Sequence, residues 1–167
     1  DLKSKTLTLA RDRFGEKPLY YGFVNKVFFF GSQVKSFKPH PKWLPEISLE
    51  ALNEFLQKGY ISSSQSIYKG IKRLPKGCYL KFDLIEKKIQ GPICYWKHSR
   101  IENKIENKFD VIKQLDLKLF NSINARKLSD VPVGSFLSGG IDSSLITTYL
   151  HEMSDSKIDT FTIGFED

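Results

Sequence analysis

The sequence has few cysteines and no long apolar run. Its two cysteines, Cys78 and Cys94, form no CxxC pair and have no histidine cluster nearby. Neither a disulfide framework nor a zinc site is therefore indicated, and we expect two buried free thiols. No apolar run approaches the roughly 20 residues that a membrane-spanning helix needs, and no charged segment followed by an apolar one opens the chain. The sequence predicts a cytoplasmic globular protein that does not contact membranes.

Acidic residues are the minority among the charged ones, with 19 Asp and Glu against 26 Lys and Arg and a formal net charge of +7. A basic chain can bind nucleic acid, but here the lysines are scattered through every segment and form no stripe. The three phenylalanines at 28–30 are more typical of a core strand than of a base-stacking platform. We predict no nucleic-acid partner, which makes a non-enzymatic basic binding module the weakest functional class.

Residues 1–97 show mostly strand patterns. Apolar alternation and short apolar runs predict strands at residues 6–10, 19–23, 27–30 and 78–82, the second and third forming a hairpin. One helix is predicted between Ser48, a good N-cap, and Gly59, a typical stop. We expect the apolar face of this helix to lie in the core. That face consists of Leu49, Leu52, Phe55 and Leu56.

The chain changes character after residue 97. Residues 98–104 are polar and charged and are predicted to be a linker between two domains. Beyond them, apolar residues spaced three and four apart predict an amphipathic helix. These residues are Ile105, Phe109, Ile112, Leu115, Leu119 and Ile123. A strand at 133–137, a helix at 143–153 and a strand at 160–165 complete the pattern of an opening parallel α/β sheet.

The loop after the strand at 133–137 has the sequence SGGIDSS, residues 138–144. Glycines let a backbone approach a ligand closely, and the free N–H groups of a helix's first turn attract anions. Ligands of open α/β sheets bind at the carboxyl ends of strands, where this loop lies. Neither a GxxxxGKS/T nor a GxGxxG pattern is present. The loop is predicted to bind phosphates, the alternative being an ordinary turn in which Asp142 and Ser143 only cap the helix.

The SGGxDS sequence after a strand resembles the pyrophosphate-binding loop of the N-type ATP pyrophosphatases, which cleave ATP between its α and β phosphates. Four further segments resemble successive parts of the glutamine amidotransferase half of the glutamine-hydrolysing asparagine synthetases. They read ARDRFGEKPLYYG at 10–22, FGSQVKSF at 30–37, LPKGCYL at 74–80 and YW at 95–96. With SDVPVGSFLSGGIDSS and TFTIGF, the resemblance covers nearly the whole chain. Gln33 is a departure, because family members usually carry glutamate there.

This resemblance implies an α+β fold for residues 1–97, part of an N-terminal-nucleophile amidotransferase sandwich. It implies an α/β fold for residues 105–167, the opening of a parallel-sheet ATP-pyrophosphatase domain, so that the chain would be an internal piece of the enzyme. In the family, ammonia from glutamine reacts with an aspartyl-adenylate to give asparagine, AMP and pyrophosphate. The implied partners are aspartate, glutamine and ATP, with Mg²⁺ as cofactor and a homodimer at full length. A relative that amidates a saccharide, peptide or antibiotic precursor is the alternative.

The resemblance also implies a set of ATP-binding residues in and beside the loop. By their match to the family they are Leu137, Ser138, Gly139, Gly140, Asp142 and Ser143, with Ile163 at a hydrophobic position near the adenine. Asp142 is in addition the candidate ligand for Mg²⁺. No catalytic residue is predicted within the chain, because the family's glutaminase nucleophile is an N-terminal cysteine and both cysteines here are internal.

The charged run Arg11, Asp12 and Arg13 lies within the first of the resembling segments. Its residues could contact a substrate or could stabilise the first domain. Because charges inside a fold are usually paired, we interpret the run as an internal ion-pair network that holds this domain together.

Overall fold

The computed structural model describes residues 1–62, 64–98 and 107–164. It divides the chain into two compact units, Asp1–Arg100 and Ile101–Asp167. The division falls within the range predicted as a linker, of which residues 99–104 lie outside the described residues. Both units mix helices with small sheets. No helix among the described residues is both long enough and apolar enough to cross a membrane.

The first unit is built on two antiparallel sheets of three strands each. The strands are β1 Thr6–Ala10, β2 Tyr20–Val24, β3 Val27–Gly31, β4 Ile71–Arg73, β5 Cys78–Asp83 and β6 Ile89–Cys94. One sheet has the order β1-β5-β6 and the other the order β3-β2-β4. The predicted hairpin is confirmed as β2–β3, in which Val24 pairs with Val27. A 3₁₀ helix, Val34–Phe37, follows β3.

Aromatic and aliphatic side chains pack the two sheets of the first unit. One buried cluster contains Val24, Phe29, Phe37, Trp43 and Ile71, and another contains Leu9, Tyr21, Leu74 and Leu80. The rings of Phe28 and Phe82 stack with their centroids 4.1 Å apart and so join one sheet to the other. At Gly22 a Cβ atom would lie 1.8 Å from the carbonyl oxygen of Gly70, which only glycine avoids.

Helix α1, Leu49–Lys58, has the caps that the sequence predicts. The hydroxyl of Ser48 accepts the N–H of Ala51, and Gly59 adopts the left-handed conformation with φ of 76°. The predicted burial of its apolar face is wrong, since Leu49 is 75% exposed and Leu56 is 74% exposed, and only Ala51 is buried. Leu52 of this face is half-buried, and Phe55 is exposed. An apolar stripe shows that a helix face can be buried, but it does not identify the partner.

Arg11 and Asp12 hold a loop together through backbone atoms. The guanidinium of Arg11 donates to the carbonyl oxygens of Gly15, Lys17 and Leu74 at 2.7–2.8 Å. The Asp12 carboxylate accepts N–H groups of residues 14, 16 and 17, and the N–H of Glu16 is the largest cause of the lowered pKa of Asp12. The predicted ion-pair network is therefore wrong for Arg11 and Asp12 among the described residues, and Arg13 is exposed.

Cys78 and Cys94 lie opposite each other in the antiparallel pair β5–β6 and are joined by a disulfide. Cys78 is buried, whereas Cys94 lies exposed on the edge strand. The prediction of two buried free thiols is therefore wrong. The spacing of 16 residues shows no pattern in sequence. The two side chains meet because the register of β5 and β6 places them opposite each other, and the spacing of cysteines in a sequence does not reveal that register.

We expect Cys94→Ser to lower the free energy of unfolding of the oxidised protein by about 3 kcal/mol, because a cross-link closing about 15 residues restricts the denatured chain by that amount. Cys94 is exposed, so the substitution opens no cavity in the core. Urea unfolding with and without a reductant measures the effect. Reductant should destabilise the parent to the level of the variant and leave the variant unchanged. If reductant leaves the free energy of unfolding of the parent protein unchanged, the disulfide does not stabilise the fold.

The second unit consists of two helices and a pair of short parallel strands among the described residues. They are α2 Lys108–Asn124, β7 Ser135–Phe136, α3 Ile141–Glu152 and β8 Thr160–Phe161. β7 and β8 pair in parallel, with Ser135 opposite Thr160. The strands are shorter than predicted, and α3 begins two residues earlier. Ile105 and Phe165, which the sequence placed in a helix and a strand, lie outside the described residues.

Candidate functional site

The loop that follows β7 opens toward solvent at the carboxyl edge of the parallel pair. The N–H of Leu137 still donates to the carbonyl of Phe161 at 2.9 Å, and the chain leaves the strand at Ser138. Gly139 has φ of 79°, and no heavy atom lies within 4 Å of the place where its Cβ would be. A left-handed residue with open space above it leaves the backbone accessible to a ligand.

Two serine hydroxyls converge on this loop. The Ser143 hydroxyl donates to the carbonyl of Gly140 at 3.1 Å and accepts the N–H of Ser138 at 3.4 Å. The hydroxyls of Ser138 and Ser143 are themselves 3.1 Å apart. These bonds fold the loop back onto the start of α3, with the two hydroxyls beside each other.

The first turn of α3 presents backbone N–H groups without helical acceptors. The first N–H that bonds within the helix is that of Ser144, which donates to the carbonyl of Gly140 at 3.0 Å. The N–H groups of residues 141–143 precede it, and the N-cap, Gly140, has no side chain to accept them. Unpaired N–H groups and the helix dipole give this end of the helix a partial positive charge. The arrangement is suited to binding an anion.

The remaining predicted site residues surround the loop at the same edge of the sheet. Asp142 is exposed in the first turn of α3, and Leu137 is half-buried at the end of β7. Ile163 lies two residues beyond β8 and is 79% exposed, so it belongs to no core among the described residues. No group of three or more His, Cys, Asp or Glu in the described part of the chain could hold a metal ion. A cation here would depend on Asp142 together with oxygens of a bound ligand.

Two residues behind the loop were missed by sequence reasoning. Ser135 is buried in β7, and its hydroxyl lies 2.9 Å from that of Thr147 in α3. Their only signal in the sequence is that Thr147 stands one helical turn after Ser143, a spacing at which a hydroxyl can reach the preceding turn.

A buried tyrosine joins the two helices of the second unit. The hydroxyl of Tyr149 in α3 donates to the carboxylate of Asp116 in α2, and the ring of Tyr149 packs against Phe120. The hydrogen bond to Asp116 is the largest cause that raises the pKa of Tyr149, and desolvation raises it further. Since the pKa is raised in the folded state, the stabilisation is complete below the ordinary tyrosine pKa and is lost as pH rises through the raised value.

We expect Tyr149 to ionise at higher pH than an ordinary tyrosine in a spectrophotometric titration, and we expect Asp116→Asn to lower its pKa because the charged acceptor is gone. Tyr149→Phe assigns the signal by removing it. Tyr21, whose pKa is raised by burial, serves as the reference because Asp116→Asn should leave it unchanged. A Tyr149 titration that does not respond to Asp116→Asn would show that the hydrogen bond does not govern its pKa.

The two parts of the chain match two family models. Residues 1–96 match the model for the glutamine amidotransferase domain, and residues 114–167 match the model for asparagine synthase. The order of the two matches is the order of the two resembling parts in the sequence. The chain belongs to the glutamine-hydrolysing asparagine synthetase family.

Relatives of this synthetase family match nearly the whole chain. A Methanocaldococcus jannaschii protein provisionally named glutamine-hydrolysing asparagine synthetase 2 is 36% identical over 169 residues, covering 99% of the chain and 32% of that protein. Glutamine-hydrolysing asparagine synthetase 1 of Bacillus subtilis is 33% identical, covering 94% of the chain and 24% of that protein. A Penicillium rubens protein named amidase chyE is 28% identical over 87% of the chain and 21% of its own length. The chain thus spans a third or less of the length of these relatives.

Proposed function

We propose that this chain forms part of an enzyme that amidates the side-chain carboxylate of aspartate with ammonia from glutamine. ATP is converted to AMP and pyrophosphate, and the product is asparagine. The observation that carries this proposal is the open loop between β7 and α3. It combines left-handed Gly139, two converging hydroxyls and three N–H groups without helical acceptors at the carboxyl edge of a parallel pair. Family membership supports the choice of reaction.

The loop would hold the phosphates of ATP. The N–H groups at the start of α3 and the hydroxyl of Ser138 would donate hydrogen bonds to the β and γ phosphates, and Gly139 and Gly140 let the backbone come close. The hydroxyl of Ser143 would join them by releasing the carbonyl of Gly140, to which it donates in the structure. Leu137 and Ile163, at the ends of the neighbouring strands, would contact the adenine end. The exposed position of Ile163 leaves its side chain available for that contact.

The reaction then needs two displacements. An oxygen of the aspartate carboxylate attacks the α-phosphorus, the bond to the bridging oxygen breaks, and pyrophosphate leaves. Ammonia next attacks the carbonyl carbon of the aspartyl-adenylate, the proton balance is completed by loss of a proton from nitrogen, and AMP leaves. A carboxylate is a poor electrophile until AMP becomes its leaving group, and exclusion of water keeps ammonia unprotonated and protects the adenylate. Donors on the pyrophosphate side stabilise the charge that develops there.

Asp142 would hold Mg²⁺ together with phosphate oxygens and water, and the ion would neutralise phosphate charge. The residues fit this group because a magnesium site at a nucleotide usually needs one or two carboxylates. Asp142 is exposed beside the N–H groups that would face the same phosphates.

Residues 1–97 would contribute to the glutamine amidotransferase domain. The thiol that attacks glutamine in the family is that of an N-terminal cysteine, whereas Cys78 and Cys94 are both internal. We accordingly propose that the chain contributes no catalytic residue to glutamine hydrolysis.

A second candidate is the amidation of another carboxylate, in a saccharide, peptide or antibiotic precursor. The observation that favours this candidate is that a relative matching 87% of the chain is named an amidase. The two candidates share the ATP loop and differ in the acceptor pocket.

The test uses the full-length protein with glutamine, ATP and Mg²⁺ and compares aspartate with other carboxylates. We expect AMP, pyrophosphate and asparagine in equal amounts, and transfer of ¹⁸O from the aspartate carboxylate to AMP. Formation of ADP and phosphate would contradict the proposed chemistry. AMP formation with another acceptor but not with aspartate would favour the second candidate. Affinity for RNA that falls steeply with salt, without ATP turnover, would indicate a basic binding module.

We further propose that the protein works in the cytoplasm as a homodimer, on small molecules and with no nucleic-acid or membrane partner.

The reducing systems of the cytoplasm keep most cysteine pairs in the thiol form. Cys78 and Cys94 should therefore be thiols in the cell and should bond on exposure to an oxidant. Trapping thiols with an alkylating reagent in intact cells measures their state, and sedimentation measures the assembly. A pair fully bonded in cells would argue against this location.

A further inference from the structure

A buried hydroxyl lies directly behind the proposed ATP loop. Ser135 sits in β7, where its N–H donates to the carbonyl of Asp159 at 2.9 Å and its side chain is buried. Its hydroxyl is 2.9 Å from that of Thr147, which in turn donates to the carbonyl of Ser143 at 2.8 Å. A hydroxyl has one proton to donate. Since Thr147 gives its proton to Ser143, the hydroxyl of Ser135 must be the donor to Thr147.

The hydrogen bonds continue from this pair into the loop. Ser143, whose carbonyl receives the Thr147 proton, uses its own hydroxyl to bind the carbonyl of Gly140 at 3.1 Å and to contact the hydroxyl of Ser138 at 3.1 Å. The strand, the first turn of α3 and the loop are thus linked by side-chain hydrogen bonds. Neither Ser135 nor Thr147 is among the residues that the resemblance implies for ATP binding.

We propose that Ser135 and Thr147 are positioning residues for ATP, which fix the first turn of α3 against β7 and so set where the loop's donors lie. The proposal rests on the proposed function of the loop. A hydrogen bond weakens steeply when its donor is displaced or tilted. Residues that fix the loop from behind therefore increase its affinity for ATP. Ser135 is suited to this because it is buried and cannot exchange its partner for water.

Thr148 provides a matched control within the same helix. Its hydroxyl donates to the carbonyl of Ser144 at 2.9 Å, the same bond to the preceding turn that Thr147 makes, but it bonds to no strand among the described residues and the residue is exposed. Thr147→Val and Thr148→Val therefore remove the same atom and the same intrahelical bond. Only the first also removes the link to Ser135.

The experiment measures kcat and the KM for ATP of the full-length protein in four variants. They are Thr147→Val, Thr148→Val, Thr147→Ser and Ser135→Ala. We expect Thr147→Val to raise the KM for ATP about five- to tenfold, the effect of losing one or two hydrogen bonds. Thr148→Val should leave it unchanged, and Thr147→Ser, which keeps the hydroxyl, should restore it. A merely structural role would reduce the fraction of active protein, and that lowers kcat at constant KM.

Ser135→Ala keeps the proposal testable if Thr147→Val does not fold. It should raise the KM for ATP in the same direction, and combining it with Thr147→Val should add little, because both remove one link. Wild-type protein that shows no saturable use of ATP would overturn the proposed function and this role with it. Wild-type protein that does use ATP, with an unchanged KM in Thr147→Val or an equal rise in both valine variants, would overturn the positioning role alone.

Discussion

In the full-length protein, Asp142→Asn should reduce the formation of AMP and pyrophosphate by orders of magnitude while glutamine hydrolysis stays close to the wild-type rate. Asparagine keeps the size of aspartate but is a much weaker ligand for Mg²⁺. Every 1.4 kcal/mol or so of lost charge stabilisation costs a factor of ten in rate, so a loss of a few kcal/mol produces the expected effect. Folding should suffer little, because an exposed acid in the first turn of a helix contributes no more than about 1 kcal/mol.

Asp155→Asn is the control for this substitution. Asp155 is also exposed and lies just beyond the end of α3, so the same charge is removed from the same unit away from the loop. We expect this variant to form AMP at the parental rate. Titrating Mg²⁺ separates the two interpretations of Asp142. If Asp142 only stabilises the helix start, its variant will make asparagine at nearly the parental rate with unchanged Mg²⁺ dependence.

The local elements of the structure could be predicted because their signals lie within a few residues. The caps of α1 are an example, since a serine that accepts an N–H and a glycine in the left-handed conformation need no distant partner. The hairpin β2–β3 is another, because its turn is contiguous. The parallel pairing of β7 and β8 followed from the strand–helix–strand order. The first two predictions used only neighbours in the chain, and the third used only the order of the elements.

The predictions that failed depended on which residues meet across the fold. The disulfide exists because Cys78 and Cys94 face each other across β5 and β6, and a shift of one residue would have placed them on opposite faces. The predicted burial of the apolar face of α1 failed for the same reason, because an apolar stripe does not show which element packs against it. Arg11 was expected to pair with acids, but its rigid fork of donors satisfies three carbonyl groups instead.

The candidate site was predictable in part, because its loop is local in sequence whereas the residues behind it meet only in the fold. The loop is one contiguous segment, so the types and order of its residues were enough to predict an anion site. The support behind it could not be predicted, because Ser135 and Thr147 meet only when β7 and α3 pack together. Small hydroxyl residues are common in strands and helices, and nothing in their spacing separates this pair from others.

Gly139→Ala should lower kcat/KM for ATP at least tenfold in the full-length protein. Gly139 has φ of 79°, so a side chain there costs roughly 1 kcal/mol of backbone strain. Its methyl group would enter the open space above the loop, where no protein atom lies within 4 Å and where the phosphates are proposed to bind. A 1 Å displacement of a reacting group can cost about a hundredfold, so a methyl in this position should matter more for ATP than for folding.

Gly59→Ala is the matched control, because Gly59 has φ of 76° and likewise no atom within 4 Å of a Cβ. Both variants should lose a similar free energy of unfolding, measured in urea, and only Gly139→Ala should lose the use of ATP. Strain alone predicts equal effects at both glycines, since the conformations are nearly the same. If Gly139→Ala keeps the parental kcat/KM for ATP while losing the same stability as Gly59→Ala, Gly139 is an ordinary turn residue, and the phosphates do not lie against it.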